Sequence, residues 1–334
     1  MQLIDLELEL LDPPARRPFC QVVGFVDGIP VGNVASGGGP EVGCAWWPSG
    51  PELVLGSDGK RKSNLRFGRG SVFGGQLDGR PHATEWVRAG GEIVVRDRHF
   101  KPFRETCASA GRDAVVVGFA TTRDVSSSAV IWIEGKPRVL APENRREDAY
   151  GHGVGGGRCV GQIGRVGAHR ACWWDLASGD RTEVAPDGFS STILRDAGAD
   201  YLVGEGWTAA GLVRPLLWPD SGSAEVEDLT PPGFGRGALL SCDDAWQVGF
   251  VEHQAERAGH AALWVGSAAT FLDLHDVVPE PYTDSAALLV EVEGDEVRVA
   301  GYVAAYSTRK NPLGELLRAQ EAKRAAVWRG HISR

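Results

Sequence analysis

The chain has 334 residues, 43% of them apolar, so it can bury a large core and is not a disordered polymer. Its formal net charge of −9 opposes non-specific attraction to nucleic acid or to an anionic membrane, and no run of 18 apolar residues offers a transmembrane helix. The 45 Gly and 11 Trp, against a single Met, point to many tight turns and a recurring aromatic position rather than to long helices.

The chain opens on LIDLELELL, whose strict alternation predicts a strand. Acids stand where a secretory signal would carry basic residues, so a cytoplasmic protein is expected. Two places suit this strand. The likeness of IDLEL to later D-L runs favours an outer strand beyond Trp328, and the spacing to Gly24 equally suits an inner strand of the first repeat unit.

From there a repeat takes over. A short apolar run ending in Gly is followed, after a loop, by a small residue, two more residues and Trp: VVGF with CAWW, VFGG with ATEW, VVGF with AVIW, CVGQ with ACWW, LVGE with PLLW, QVGF with AALW and VAGY with AAVW. The marker glycines are Gly24, Gly74, Gly118, Gly161, Gly204, Gly249 and Gly301, and their partners are Trp47, Trp86, Trp132, Trp174, Trp218, Trp264 and Trp328. The Gly-to-Trp distance is 12 to 15 residues in the five central units, 23 in the first and 27 in the last. Another apolar run precedes most glycines, and a D-L or similar run follows most tryptophans. Each unit therefore reads as four short strands, and roughly 44 residues per unit fit a propeller blade. The expectation is an all-β, seven-bladed β-propeller of four-stranded antiparallel blades, one domain over 1–334, with Trp packing blade against blade.

In the fourth unit GHGVGGG matches G-x-G-x-x-G formally at Gly151, Gly153 and Gly156. A dinucleotide fingerprint needs a helix N-terminus after the glycines, and here a strand follows. The run reads instead as an inner strand and turn, its missing side chains relieving crowding near the axis and leaving His152 beside an open channel.

HATEW (His82 to Trp86) and HAALW (His260 to Trp264), with EDLTP and LDLHD for the D-L element, resemble the bacterial HAF-repeat family. The resemblance covers nearly the whole chain and implies a propeller, often of exported proteins. It implies no activity and no catalytic residues, and this chain departs from the family in lacking an export signal.

Function is expected where connections are long. The second-to-third and fourth-to-first connections emerge on one face, and the first and last units both carry excess length there. VDGIPVGNVASGGGPEVG reads as a Gly-rich lid. AAYSTRKNPLGELLRAQEAKR reads as one short helical insertion near the C-terminus, capped by Asn311, with Leu313, Leu316 and Leu317 on one side. A basic arc of Lys60, Arg61, Lys62, Arg98, His99, Lys101, Arg104, Arg145 and Arg146 shares that face, opposite acidic loops of the sixth unit. It is the expected ligand-binding set.

The expected function is a binding scaffold whose loop-bearing face holds a protein or a small anionic molecule, as a monomer, with no nucleic acid and no membrane. The competing reading is a lyase or hydrolase at the channel mouth, using His152, His253 and His275. The six Cys are scattered without metal-ligand spacing, so no metal and no cofactor are expected.

Overall fold

The computed structural model describes residues 2–36, 41–53, 62–66, 68–69, 72–77, 81–112, 114–122, 126–140, 147–165, 167–219, 225–243, 245–254, 257–310 and 316–333. The described residues form an all-β molecule: five four-stranded antiparallel sheets, each a meander, and one nine-stranded sheet that joins strands from both ends of the chain and includes parallel bridges from Phe19 to Lys323 and from Gly24 to Gly68. The third unit is representative: Glu105–Arg112, Val115–Thr121, Ser127–Ile133 and Lys136–Leu140 pair in that order. Turns such as Glu134-Gly135 and Asp27-Gly28 hold both central residues at positive φ, the geometry that matches strand twist in a two-residue hairpin.

The marker glycines have a steric cause. In the third unit Ala108 pairs with Gly118, and the register of the first strand then slips by one residue. This bulge drives a carbonyl over the glycine, so that a Cβ on Gly118 would lie 1.9 Å from Cys107 O. The same bulge and crowding recur at Gly161, Gly204, Gly249 and Gly301. In the first unit they fall on Gly32, which pairs with Val22 and whose Cβ would meet Gln21 O at 1.8 Å. The marker there is thus Gly32, not Gly24. Consequently Ile29–Ala35 is the second strand, and the expected Gly-rich lid is mostly strand and turn.

A second correction concerns the helical insertion. Glu296–Lys310 and Leu316–Ser333 form one long hairpin, with Arg309 opposite Leu317 and Lys310 opposite Leu316. Leu316 and Leu317 are therefore strand residues, although LGELLRAQEAKRAA favours helix by propensity. Pairing with the preceding strand overrides it. Asn311 and Leu313 lie outside the described residues.

Gln2–Leu10 pairs antiparallel with Leu316–Ser333, with Leu8 opposite Trp328, which decides between the two places open to it. The inner strand of the first unit is Phe19–Val26.

The core lies between sheets. Buried apolar residues gather in clusters drawn from successive units, such as Ile131 and Leu140 with Cys159 and Trp174. One cluster joins Leu289, Ala300 and Val327 of the last unit to Cys20, Val22 and Trp46 of the first. Polar contacts follow the same plan. Trp132 Nε1 donates to Arg98 O at 3.0 Å, Trp264 Nε1 to Leu229 O at 3.1 Å and Trp328 Nε1 to Leu274 O at 3.0 Å, each reaching the exit of the preceding unit. In the first unit Trp46, rather than Trp47, makes this bond, to Asp12 O at 2.9 Å.

The inner strand Asp148–Gly155 is followed by the strand Arg158–Arg165. A Cβ on Gly153 would lie 2.4 Å from Arg195 O and one on Gly155 1.9 Å from Ala197 O, so these glycines admit the next unit's inner strand. The cavity beside His152 has a volume of only about 20 Å³, room for one water rather than an open channel.

Candidate functional site

In five units the residue four before the Trp carries a cation or imidazole that reaches a carboxylate on or beyond the outer strand. His82 Nδ1 lies 3.3 Å from Asp97, Arg170 Nε 2.8 Å from Glu183, Arg214 Nε 3.8 Å from Asp228, His260 Nδ1 2.8 Å from Asp273 and Arg324 Nη2 3.0 Å from Asp12. Asp12 follows the N-terminal strand, so that strand supplies the last unit with what the outer strands supply elsewhere. In two units a second imidazole extends the pair. His99 stacks on His82 at 4.0 Å and meets Thr106 Oγ1 at 3.0 Å, and His275 stacks on His260 at 4.2 Å and meets Ser285 Oγ at 2.8 Å. Thr106 and Ser285 also accept the backbone N–H of Ala83 and Ala261, which links each unit to the next. Burial foremost, then the neighbouring imidazole, pushes the pKa of His99 and of His275 below the usual histidine value.

Of the expected basic arc, Lys60, Arg61, Arg145 and Arg146 lie outside the described residues, and Lys62 begins the inner strand Lys62–Arg66. Lys101 and Arg104 are exposed, Arg104 Nε standing 3.5 Å from Glu105. Arg98 turns away to pair with Glu85, and His99 is engaged with His82 and Thr106. The three histidines of the catalytic alternative do not assemble. His253 and His275 flank His260, at 6.3 and 4.2 Å between ring centroids. His152 instead stacks on Tyr150 at 6.4 Å and lines the small axial cavity with Arg112, Asp196 and Ser241.

Among the described residues no group of three or more His, Cys, Asp or Glu is arranged to hold a metal ion. No two cysteines form a disulfide; burial pushes the Cys44 thiol up to about 12 and raises Cys159 and Cys172 as well, so these remain protonated at neutral pH. At the seam of the last and first units, Lys323 Nζ sits 3.8 Å over the Tyr302 ring and bonds Gln21. Burial lowers this lysine to about 8 and raises Tyr302 to about 12.

Two cavities open on the face formed by the second-to-third and fourth-to-first connections. One, of about 500 Å³ between the fourth and fifth units, is lined by His169, Ser190, Arg195, Trp207 and Thr208. The other, of about 370 Å³ between the fifth and sixth, is lined by Arg214, Arg236, Glu252, Gln254 and Arg257. Sequence reading assigned the sixth unit an acidic character and missed this cluster. Its arginines come from a third strand, a first strand and a turn, so no local motif announces them.

No family model and no curated protein matches the chain. Among solved structures it is similar to a puromycin hydrolase (13% identity, TM-score 0.55) and to the acylaminoacyl peptidase of Pyrococcus horikoshii (11%, TM-score 0.50). Each alignment covers 92% of this chain but only 54% and 52% of those proteins, so the chain spans about half their length. It also aligns with the β-propeller domain of the Trilobed protease from Pyrococcus furiosus (12%, TM-score 0.46), over 79% of this chain and 100% of that domain. At such identities the likeness bears on fold alone.

Proposed function

We propose that the chain is a seven-bladed propeller of HAF-repeat type, acting inside the cell as a binding scaffold. Its loop-bearing face holds a protein or a small anionic molecule. The blade count rests on the repeat itself, with the nine-stranded sheet taken as the first and last blades, joined where Phe19 bridges to Lys323. Closure is supported by the pairing of Gln2–Leu10 with the last strand and by the bond from Trp46 to Asp12 O.

The observation that carries the binding reading is that cavities of about 500 and 370 Å³ open on the loop-bearing face, the second lined by arginines from two units, whereas the cavity of about 430 Å³ lined by Gly28, Trp47 and Pro48 opens on the other. Propellers serve many chemistries, so the site and not the fold must decide. Of the histidines that a hydrolase or lyase would need, His275 meets Ser285 of the next unit, His253 stands 6.3 Å from His260 between ring centroids, and His152 lies apart beside the small cavity with Arg112 and Asp196.

The test compares partner binding by the intact chain, by the double variant Lys101→Glu/Arg104→Glu on the loop-bearing face, and by Lys136→Glu at the opposite end of a blade. All three positions are exposed, so folding is expected to be unaffected. Binding should weaken in the first variant only. A partner indifferent to the double variant but lost on Lys136→Glu would place function on the other face, and turnover abolished by His152→Ala would replace the scaffold with an enzyme.

A further inference from the structure

The cavity between the fifth and sixth units differs in charge from the molecule around it. The chain carries −9 overall, yet three guanidinium groups, from Arg214, Arg236 and Arg257, line this space against one lining carboxylate, Glu252. Arg214 has a distant partner in Asp228, at 3.8 Å, and Arg236 has no ion pair among the described residues. Like charges gathered in one concavity repel each other, an arrangement that an anionic occupant relieves. The planar guanidinium fork, with its five N–H donors, matches the oxygens of a phosphate or a carboxylate.

The walls are also fixed in place. Gln254 is pinned twice to the start of the neighbouring strand, through its backbone N–H to Gly233 O at 3.2 Å and its side-chain Nε2 to Phe234 O at 3.1 Å. Gly235 makes room for it, since a Cβ there would stand 3.0 Å from Gln254 Cγ. The Arg257 N–H donates to His253 O at 2.9 Å, and Arg257 itself is held at φ +54°, a conformation in which glycine would be at ease.

We propose that this cavity is an oxyanion site, taking a small ligand whose phosphate or carboxylate group is gripped by Arg214, Arg236 and Arg257. The proposal rests on the reading of the loop-bearing face as the binding face, and it narrows that reading to one place and one chemistry. A volume of about 370 Å³ suits a small molecule.

Calorimetric titration of the full chain at low ionic strength, with inorganic pyrophosphate and separately with citrate, presents the two sources of the shared chemistry. One of them should bind with single-site stoichiometry, and the affinity should fall as salt rises. Which one binds tells phosphate from carboxylate. Arg236→Gln and Arg257→Gly should each weaken binding by about 10-fold, the scale of one charge-assisted contact. Arg257→Gly suits the left-handed backbone, so its thermal midpoint should equal or exceed that of the parent and separates lost binding from lost fold. Binding that survives both arginine variants but falls in Lys101→Glu/Arg104→Glu would overturn this site and leave the face reading standing. Failure of both anions to bind the intact chain would overturn the inference even if a protein partner docks on the same face.

Discussion

At the residue scale, the repeat is a set of answers to one question: how a sheet edge buried against its neighbour satisfies its polar groups. A buried indole fills the space between sheets, and its N–H reaches the carbonyl at the preceding unit's exit. Trp264 and Trp218 are both fully buried, but Trp264 Nε1 bonds Leu229 O, whereas Trp218 Nε1 has no hydrogen-bond partner among the described residues. Replacement by Phe removes similar volume at each site. Trp264→Phe should therefore destabilise by about 1–2 kcal/mol more than Trp218→Phe, because only the former strands an acceptor. Urea unfolding of the two variants measures the difference, and equal losses would deny the indole bond its role. The histidines make a similar argument testable by pH. His99 and His275 have pKa values held below the unfolded value, mainly by burial, so the unfolded chain binds more protons as the pH drops below about 6.5. Stability is therefore full above that pH and declines below it until the folded groups also titrate. The urea midpoint should fall between pH 7 and pH 5.5, and His275→Gln should flatten that fall; an unchanged slope would mean that His275 is not linked to folding.

At the scale of the element, much of the fold is legible in sequence, because the bulge seen in six of the inner strands demands a glycine opposite it. Gly118, Gly161, Gly204, Gly249 and Gly301 can be found in the text for that reason. The first unit misleads because its VVGF, identical to the text around Gly118, lies in the inner strand, and the crowded glycine is Gly32. Spacing alone cannot tell a glycine opposite a bulge from one at the bulge. Once Gly32 is taken as the marker, its distance of 14 residues to Trp46 falls within the range of the central units. The C-terminal hairpin misleads for a different reason. Leu, Ala, Gln, Glu, Lys and Arg are good helix formers, and only the partner strand Glu296–Lys310, distant in the pattern being read, makes Leu316–Ser333 extended. The candidate site was least legible. His82 and His260 announce the repeat, but Arg214, Arg236 and Arg257 converge only through the packing of two successive units, and Arg98, prominent in the sequence, is drawn off by Glu85.

For the whole molecule, the chain's two ends meet in one sheet, and the same devices that hold successive units together hold the last to the first. Trp46 bonds Asp12 O as Trp132 bonds Arg98 O, and Arg324 pairs with Asp12 as His260 pairs with Asp273. Leu3, Leu6, Leu8 and Leu10 pack against the cluster that contains Val299 and Trp328. In the proposed closed ring this lock fixes the last unit against the first, and the proposed ligand would be gripped by arginines that two packed units hold together. The central claim is the lock itself, and amide hydrogen exchange on a chain lacking residues 1–11, set beside the intact chain, tests it most directly. Protection should collapse both in Ala325–Trp328, which loses its outer strand, and in Phe19–Val26, which pairs with no residue of Gln2–Leu10 but shares a core cluster with Leu11 across the seam of the last and first units. Protection of Phe19–Val26 equal to that in the intact chain would contradict the account.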